Sequence, residues 1–293
     1  MKKIWRMLKL VIIILLIFVI ICAGWSVYHY NIDPELVTVY YTLEENVAAP
    51  IRIVQLSDLH NAEFGEGNSE LIGLVEEQSP DLIVMTGDML NRYDENTDIV
   101  CNLISSLNEI APVYFGYGNH EKEWENNFGQ NLTEFFTEAG AVVIDCSYVD
   151  IEVNDAAIRI AGYMPYYRQP GMYPVDEAQR QLELDFADDF ENTDRLKILL
   201  NHIPTQWVDW DYIDEYPVDV VFSGHYHGGV IQIPLVNRGL YCPYVGFFAP
   251  NTKGLFKGTK ATCVLSSELG SEYAIPRLNN PAELVVVDLI PVQ

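Results

Sequence analysis

The stretch VDVVFSGHYHGG, residues 218–229, decides the fold because it joins an apolar run to a turn that carries two histidines. A continuous, β-branched run of this kind is typical of a strand buried on both faces. The run ends at His225 and His227, and the glycines around them let the backbone turn tightly or approach a neighbour closely. Two imidazoles on one turn could share a binding site, and the rest of the chain must indicate which site.

Four other apolar runs end in polar residues in the same way. IRIVQLSDLH (51–60) ends at Asp58 and His60, DLIVMTGD (81–88) at Asp88, PVYFGYGNH (112–120) at Asn119 and His120, and LKILLNH (196–202) at His202. Helical patterns between the runs at 51–60, 81–88 and 112–120 predict helices from Asn68 or Ser69 to Gln78 and from Asn96 or Thr97 to about Ile110. A third helix is predicted after these runs, near Leu132–Ala139. Strands that alternate with helices predict βαβ units and a parallel sheet.

The texture changes after Ala141 to shorter, hairpin-like strands, and ATCVLSS and ELVVVDLI close the chain. We expect three parts: a cytoplasmic tip and membrane anchor (1–30), a juxtamembrane connector (31–49) and one catalytic domain (50–293). Residues 162–174 form an aromatic stretch rich in proline and glycine, which predicts a long loop. Its tyrosines could act as a lid over a substrate, or the loop could be an ordinary surface loop.

The N-terminus predicts a transmembrane segment. Residues 10–32 contain no charged side chain, which is enough to span a bilayer. Lys2, Lys3, Arg6 and Lys9 precede the apolar run and favour a cytoplasmic N-terminus. A cleaved signal peptide is the alternative, but no small-residue cleavage site follows. We therefore expect a single-pass protein of the cell membrane with an extracytoplasmic domain.

Charge and cysteine content exclude several classes of function. The net charge is −25, and residues 31–293 carry 13 basic against 42 acidic side chains, which is 13 − 42 = −29. Such a body should repel DNA, RNA and anionic lipid headgroups unless a local site reverses the field. The five cysteines show no zinc-finger spacing, and Cys101 has the helical spacing of a core residue. One disulfide is possible, no pairing follows from the sequence, and no protein partner can be inferred.

The polar strand ends together predict a metal centre. Five of the six histidines lie there, with two aspartates and one asparagine, and ligands of α/β sheets bind at the carboxyl ends of strands. Mixed nitrogen and oxygen ligands suit manganese, iron, zinc or cobalt. One aspartate can bridge two cations, whose positive charge would make an anionic phosphoester the natural substrate.

These blocks carry a family resemblance. SDLH (57–60), TGD (86–88), GNHE (118–121), NH (201–202) and GHYH (224–227) follow one another in the order of the calcineurin-like metallophosphoesterase signature. The chain resembles this superfamily from about residue 50 onward, and most of all its membrane-anchored bacterial, YkuE/YaeI-like branch. The resemblance implies a four-layer α/β/β/α sandwich with its metal site at the carboxyl ends of the strands.

The resemblance also implies residue roles. Asp58, His60 and His227 would bind a first divalent ion, Asn119, His202 and His225 would bind a second, and Asp88 would bridge both. The ions would be manganese first, or iron, zinc or cobalt. His120 would not be a ligand but would contact the phosphate and help to protonate the leaving oxygen.

A water held between the two ions would attack phosphorus in line. We expect a phosphodiesterase that acts on an envelope, lipid-linked or small nucleotide substrate. The alternatives are a UDP-2,3-diacylglucosamine-type pyrophosphatase and a metal-dependent protein that binds phosphorylated ligands without turnover. A serine hydrolase is excluded because no G-x-S-x-G motif is present.

Three further residues stay open at this point. Glu121 could orient a site residue or be a surface acid, and Asn61 is expected to form a turn rather than to touch substrate. Glu268 stands where related proteins carry a glycine-rich or arginine-bearing segment, which leaves substrate contacts there undefined.

Overall fold

The computed structural model of the protein describes residues 2–32, 35–163, 177–210, 212–236, 238–242, 245–271 and 277–292. Its helices are α1 (Lys2–Ile32), α2 (Ser69–Gln78), α3 (Asp98–Asn108), α4 (Asn119–Phe128), α5 (Leu132–Glu138), α6 (Glu177–Glu191), α7 (Thr205–Val208) and α8 (Tyr212–Glu215). Its strands are β1 (Leu36–Glu45), β2 (Ile51–Leu56), β3 (Leu82–Met85), β4 (Val113–Gly116), β5 (Val142–Ile144), β6 (Ser147–Val153), β7 (Ala156–Gly162), β8 (Leu196–Leu200), β9 (Val220–Ser223), β10 (Gln232–Ile233), β11 (Arg238–Cys242), β12 (Gly246–Ala249), β13 (Gly254–Lys257), β14 (Thr262–Leu265) and β15 (Ala282–Pro291).

The N-terminal helix α1 confirms the expected apolar helix. Residues Ile4–Gly24 are long and apolar enough to cross a membrane, and none of this segment is buried against the rest of the described chain. A signal sequence near the N-terminus would satisfy the same criterion.

Two six-stranded sheets form the centre of the domain. The first sheet has the order β1-β15-β2-β3-β4-β5, and the second has the order β13-β14-β9-β8-β7-β6. Five of these strands are the runs that end in polar residues. In the first sheet β2 pairs in parallel with β3, and β3 with β4; in the second sheet β8 pairs in parallel with β9. Their carboxyl ends therefore lie at one edge of each sheet. A separate small sheet has the order β10-β11-β12.

Three buried clusters give the domain four layers. Helices α2 and α3 cover the outer face of the first sheet through residues such as Leu71 and Ile104. The two sheets face each other through a second cluster that joins Ile53 to Phe222. Trp207 belongs to the third cluster, which covers the outer face of the second sheet. This arrangement confirms the predicted α/β/β/α sandwich, and the strands alternate side chains between two cores because both of their faces are buried.

Several predicted elements differ in detail. Residues 36–45, inside the expected connector, form β1 and pair with β15 along their whole length. The connector segment therefore contributes an edge strand to the first sheet, because its apolar side chains reach the core at Leu43. Strand β5 pairs in parallel with β4, so it completes the first sheet rather than a hairpin, whereas β6 and β7 do form the predicted hairpin.

The remaining sequence expectations fall partly outside the described residues. The tyrosine-rich loop lies mostly in residues 164–176, outside the described range; Tyr163 is described and stacks on Phe186 with ring centroids 5.6 Å apart. All five cysteines are free thiols, and Cys101 packs against the first core cluster as expected. Asn61 continues the turn after β2 with a positive φ of 59°.

Candidate metal centre

The polar ends of five strands meet at a single buried site. Asp58 and His60 follow β2, Asp88 follows β3, and Asn119 and His120 begin α4 directly after β4. From the second sheet, His202 follows β8, and His225 and His227 follow β9. All eight side chains are buried, none with more than 8 % of its surface exposed. The sandwich thus brings every predicted site residue to the edge where its two sheets converge.

Three of these residues form what we call the first ligand group: Asp58, His60 and His227. One nitrogen or oxygen atom from each lies within 4.8 Å of the others. Asp58 Oδ1 is 3.7 Å from His60 Nε2, and the His60 and His227 rings are 5.2 Å apart. These separations suit a common cation, because ligands that bind one ion lie about 3 to 4 Å apart given metal–ligand distances near 2.1 Å.

The second ligand group consists of Asp88, His202 and His225. His202 Nε2 lies 3.1 Å from Asp88 Oδ2 and 3.1 Å from His225 Nδ1. The Nδ1 atom of His202 lies 2.7 Å from the Thr86 carbonyl oxygen. A carbonyl can only accept, so Nδ1 carries a proton and Nε2 is the atom that faces the group, the orientation of a metal-binding histidine.

Buried polar atoms test whether a metal fits here. Asp58 Oδ1, both ring nitrogens of His60 and Asn119 Oδ1 have no hydrogen-bond partner among the described residues. Buried polar atoms are otherwise almost always satisfied. The donor set, imidazole nitrogen with carboxylate and amide oxygen, is that of divalent transition metals. The residues therefore fit the two cations that the motifs predict.

Glycines let the loops of the site converge. A Cβ on Gly224 would lie 2.2 Å from Asp58 Oδ2, and one on Gly118 would lie 2.2 Å from Asp88 Oδ1. Gly87 has a φ of +88° and would place a Cβ 2.2 Å from the Gly118 nitrogen. No side chain can be accommodated at such distances, so these positions require glycine. The missing side chain of Gly224 thus allows the turn that carries His225 to lie directly against Asp58 of the first ligand group.

His120 differs from the ligand histidines in its tautomer. Its Nδ1 accepts a hydrogen bond from the Arg92 backbone N–H at 3.3 Å. A neutral imidazole that accepts at Nδ1 carries its proton on Nε2, and that atom lies 3.8 Å from Asp88 Oδ2. His120 also meets the distance criterion for a metal group with His60 and Asp88. In this tautomer Nε2 is a hydrogen-bond donor that faces Asp88.

Glu121 holds the loop that carries Asp88. Its carboxylate is fully buried and accepts hydrogen bonds from the backbone N–H groups of Asp88, Met89 and Gly118 at 2.8 to 2.9 Å. Burial and the charge of Asp88 raise the pKa of Glu121 to about 7. Of the two interpretations open for this residue, the structure supports the orienting one.

Glu268, whose role the sequence left open, lies in the site. It lies just after β14, is fully buried, and accepts from the His227 N–H at 2.8 Å. Its Oε2 lies 2.5 Å from His227 Nδ1. A carboxylate on the far nitrogen of a ligand histidine fixes the ring and raises its basicity. Its position follows from the strand order, because β14 is parallel to β9 and its carboxyl end lies at the same edge.

Opposite charges dominate the electrostatics of the metal-free centre. Burial would raise the pKa of Asp58 and Asp88, but the neighbouring imidazoles, with His202 first, lower both pKa values. Burial would lower the pKa of His202, but Asp88 and Asp58 outweigh it and raise that pKa to about 10. Burial and His202 lower the pKa of His225 to about 3. Without a metal, a proton on His202 therefore supplies the positive charge that the carboxylates require.

A sandwich of two sheets with clustered aspartate, asparagine and histidine at its strand ends defines a binuclear metallohydrolase class. The chain belongs to the calcineurin-like phosphoesterase family, whose model matches residues 51–229. Members of this family are phosphoesterases that depend on two metal ions.

Curated relatives agree with this assignment. The chain is 30 % identical over 254 residues to the uncharacterised metallophosphoesterase Cj0846 of Campylobacter jejuni, covering 83 % of this chain and 60 % of that protein. It is 27 % identical over 280 residues to the phosphodiesterase YaeI of Escherichia coli, covering 92 % and 93 %. It is 25 % identical over 227 residues to the UDP-2,3-diacylglucosamine pyrophosphatase LpxG of Chlamydia muridarum, covering 63 % and 65 %. The chain thus spans less than two thirds of the first and third relatives and nearly all of YaeI. Its similarity to YaeI confirms the predicted bacterial branch.

Proposed function

We propose that this protein is a dinuclear phosphodiesterase held at the cell membrane by its N-terminal helix. The observation that carries the proposal is the convergence of the two ligand groups, with their unsatisfied buried oxygens, between the edges of two sheets. Manganese is the metal we favour, with iron, zinc or cobalt as substitutes, because all suit mixed nitrogen and oxygen ligands.

The proposed ligands divide between the two ions. Asp58, His60 and His227 would hold the first ion, Asn119, His202 and His225 would hold the second, and Asp88 would be shared by both. When bound, the two cations supply a water acidic enough to act as a nucleophile near neutral pH, and they offset charge on the phosphoryl oxygens.

The chain's own residues supply orientation and a proton. His120 donates from Nε2 to the leaving oxygen, and its backbone N–H fixes Asp88 by donating to Oδ1 at 2.7 Å. Glu121 holds the Asp88 loop, and Glu268 holds His227. No nucleophilic serine, cysteine or lysine takes part, so no phosphorylated enzyme forms.

The proposed location follows from charge. The four cations before the apolar helix favour a cytoplasmic N-terminus, so the domain faces the extracytoplasmic side. The acidic body disfavours long nucleic acids. A diester on a lipid, an envelope polymer or a small nucleotide remains as the substrate.

A lipid-linked pyrophosphate is the second candidate, and the name of the Chlamydia relative supports it. An extracytoplasmic domain would reach a UDP-linked lipid poorly, because nucleotide-linked precursors are formed in the cytoplasm. The topology of α1 therefore separates the two candidates.

The test uses the full chain, purified in detergent without chelator and supplied with manganese. Hydrolysis of bis(p-nitrophenyl) phosphate, p-nitrophenyl phosphate and UDP-2,3-diacylglucosamine is compared for the wild type, His120→Ala and the control Glu123→Gln. Loss of a positioned proton donor costs roughly 10²- to 10⁴-fold in turnover. We expect the wild type and the control to cleave the diester fastest, and His120→Ala to keep its metals while turnover falls by roughly 10²-fold or more.

Other outcomes would overturn parts of the proposal. Preferential cleavage of UDP-2,3-diacylglucosamine would establish the pyrophosphatase. Two bound metals without hydrolysis of any of the three esters would favour the binding protein without turnover. Equal rates for wild type and His120→Ala would remove the proton-donor role.

A further inference from the structure

The small sheet β10-β11-β12 exposes an unusual number of apolar side chains. Beyond α1, ten large hydrophobic side chains are exposed among the described residues, and six of them lie between residues 235 and 248. These six are Leu235, Val236, Tyr241, Val245, Phe247 and Phe248. Phe247 is 73 % exposed and Leu235 is wholly exposed. A soluble protein rarely concentrates its exposed apolar surface in this way unless the surface has a partner.

The small sheet stands directly on the ligand loop. Strand β10 begins five residues after His227. A Cβ on Gly229, in the turn that follows the ligand, would lie only 2.5 Å from the Gly239 Cα of β11. The apolar surface is therefore beside the metal centre and not at a remote part of the domain.

Charge distinguishes this region from the rest of the chain. Residues 220–267 contain no aspartate or glutamate, although the chain has 42 acidic residues. The same segment holds four cations, Arg238, Lys253, Lys257 and Lys260. Arg238 and Lys253 line one groove together with Val236. The segment itself is acid-free and cationic, although Lys253 Nζ lies 3.9 Å from the buried Glu283 carboxylate. An apolar, cationic surface on an otherwise strongly acidic body suits an anionic lipid surface.

The strand register places the membrane tether at the same edge. Strand β1 begins at Leu36, opposite Ala282, and the Ala282 N–H donates to the Glu35 carbonyl at 2.9 Å. The next N–H, of Glu283, donates to the Glu268 carbonyl at 2.9 Å, and Glu268 holds His227. Three hydrogen bonds thus link Glu35, where the chain enters the domain, through β15 and Glu268 to the proposed ligand His227.

The link to the helix is short. Leu36 is four residues beyond Ile32, the last residue of α1, and four residues reach at most about 14 Å. The edge that bears the metal centre is therefore the edge tethered to the helix that can span a membrane.

We propose that the small sheet inserts Leu235, Val236, Phe247 and Phe248 into the boundary between headgroups and acyl chains of an anionic bilayer. Arg238 and Lys253 then lie at the level of the lipid phosphates. This docking holds the metal centre against the membrane surface, where phosphoesters of lipid headgroups enter it. The docking surface stands on exposure, charge and register, and so it does not depend on turnover by the enzyme.

Bromolipid quenching of tryptophan fluorescence tests this directly. The full chain is placed in nanodiscs of phosphatidylcholine and phosphatidylglycerol, with or without bromine on the upper acyl chain. Phe247→Trp adds a tryptophan to the proposed surface, and Val292→Trp adds a matched exposed one at the C-terminus of β15, at the opposite edge of the first sheet. The five native tryptophans are common to both variants and are subtracted with the wild type.

We expect bromolipid to quench at least half of the emission added by Phe247→Trp and almost none of that added by Val292→Trp. Removing phosphatidylglycerol should reduce the quenching at position 247, because Arg238 and Lys253 lose their anionic partners. Equal and negligible quenching at both positions would overturn the proposal and leave a protein partner as the occupant of the surface. Quenching at 247 that does not depend on phosphatidylglycerol would overturn the part assigned to the two cations.

Discussion

The metal centre and the small sheet are adjacent in the chain but opposite in character. The centre is buried and polar, and Glu121 and Glu268 orient two of its parts, the Asp88 loop and His227. The small sheet exposes Phe247 and Phe248, while Cys242 and Ala249 of the same sheet are buried. Chemistry fixes the first region residue by residue, whereas the second needs only exposed apolar side chains with basic residues beside them. The two regions should therefore respond very differently to substitution.

The largest expected effect is loss of the bridging carboxylate. Asp88→Asn keeps the side-chain shape but removes the charge that the two ions share. Turnover of the soluble diester should fall by roughly 10³-fold, the scale on which a single preorganised electrostatic group acts. Steady-state assay at saturating manganese measures it. Glu123→Gln, a half-exposed change on α4, should leave the rate unchanged, and a rate of Asp88→Asn within threefold of wild type would contradict the bridging role.

A smaller effect is expected at Glu268, which acts through His227. Glu268→Gln keeps an acceptor for the His227 N–H but removes the charge beside Nδ1. Loss of such a partner weakens metal binding by roughly 10- to 100-fold. Calorimetric titration of the chelated protein should show one weakened site and one unchanged site. Equal weakening of both sites, or of neither, would indicate that Glu268 serves only packing.

The contrast sharpens when the exposed surface is changed. Phe247→Ser with Phe248→Ser should leave hydrolysis of the soluble diester unchanged but slow hydrolysis of a lipid diester in nanodiscs by about tenfold. Burying one phenylalanine contributes ~1.5–3 kcal/mol, and a tenfold change needs only about 1.4 kcal/mol.

The matched control is Val142→Ser with Val292→Ser, two exposed apolar residues at the opposite edge of the first sheet. An equal loss on both substrates in the phenylalanine variant would show that the small sheet supports the centre's structure and not its docking.

The smallest effect concerns protons. His202 has its pKa raised to about 10 in the metal-free centre, so it is protonated below that pH. A metal ion at His202 Nε2 must displace this proton, so binding releases it and metal affinity rises with pH from about 7 toward 10. Calorimetry of metal binding at pH 8 in buffers of different ionisation enthalpy should report release of about one proton. Heats that are identical in all buffers would contradict the raised pKa.

The sequence predicted most of the buried site residues but not the exposed apolar surface of the small sheet. Residues such as Asp58 and His202 were predictable because each follows an apolar strand and strand ends converge in this architecture. Glu268 was not, because VLSSELG reads as an ordinary strand end until β14 is known to lie beside β9.

Edge elements were also missed, for physical reasons. Strand β1 pairs with β15 from opposite ends of the sequence, and such a long-range pairing leaves no local pattern. The start of α4 at Asn119 was hidden because its first residues carry the GNHE motif and its polar face reads as a loop. Phe247 and Phe248 are exposed because no other part of the described chain packs over them, and this can be seen only in the structure.

Elemental analysis of the full chain, purified in detergent without chelator and reconstituted with manganese, tests the central claim most directly. The account predicts two metal ions per chain for the wild type and for His120→Ala, and fewer than two for Asp88→Asn. A single ion in the wild type, or none after reconstitution, would contradict the dinuclear centre on which the proposed function rests.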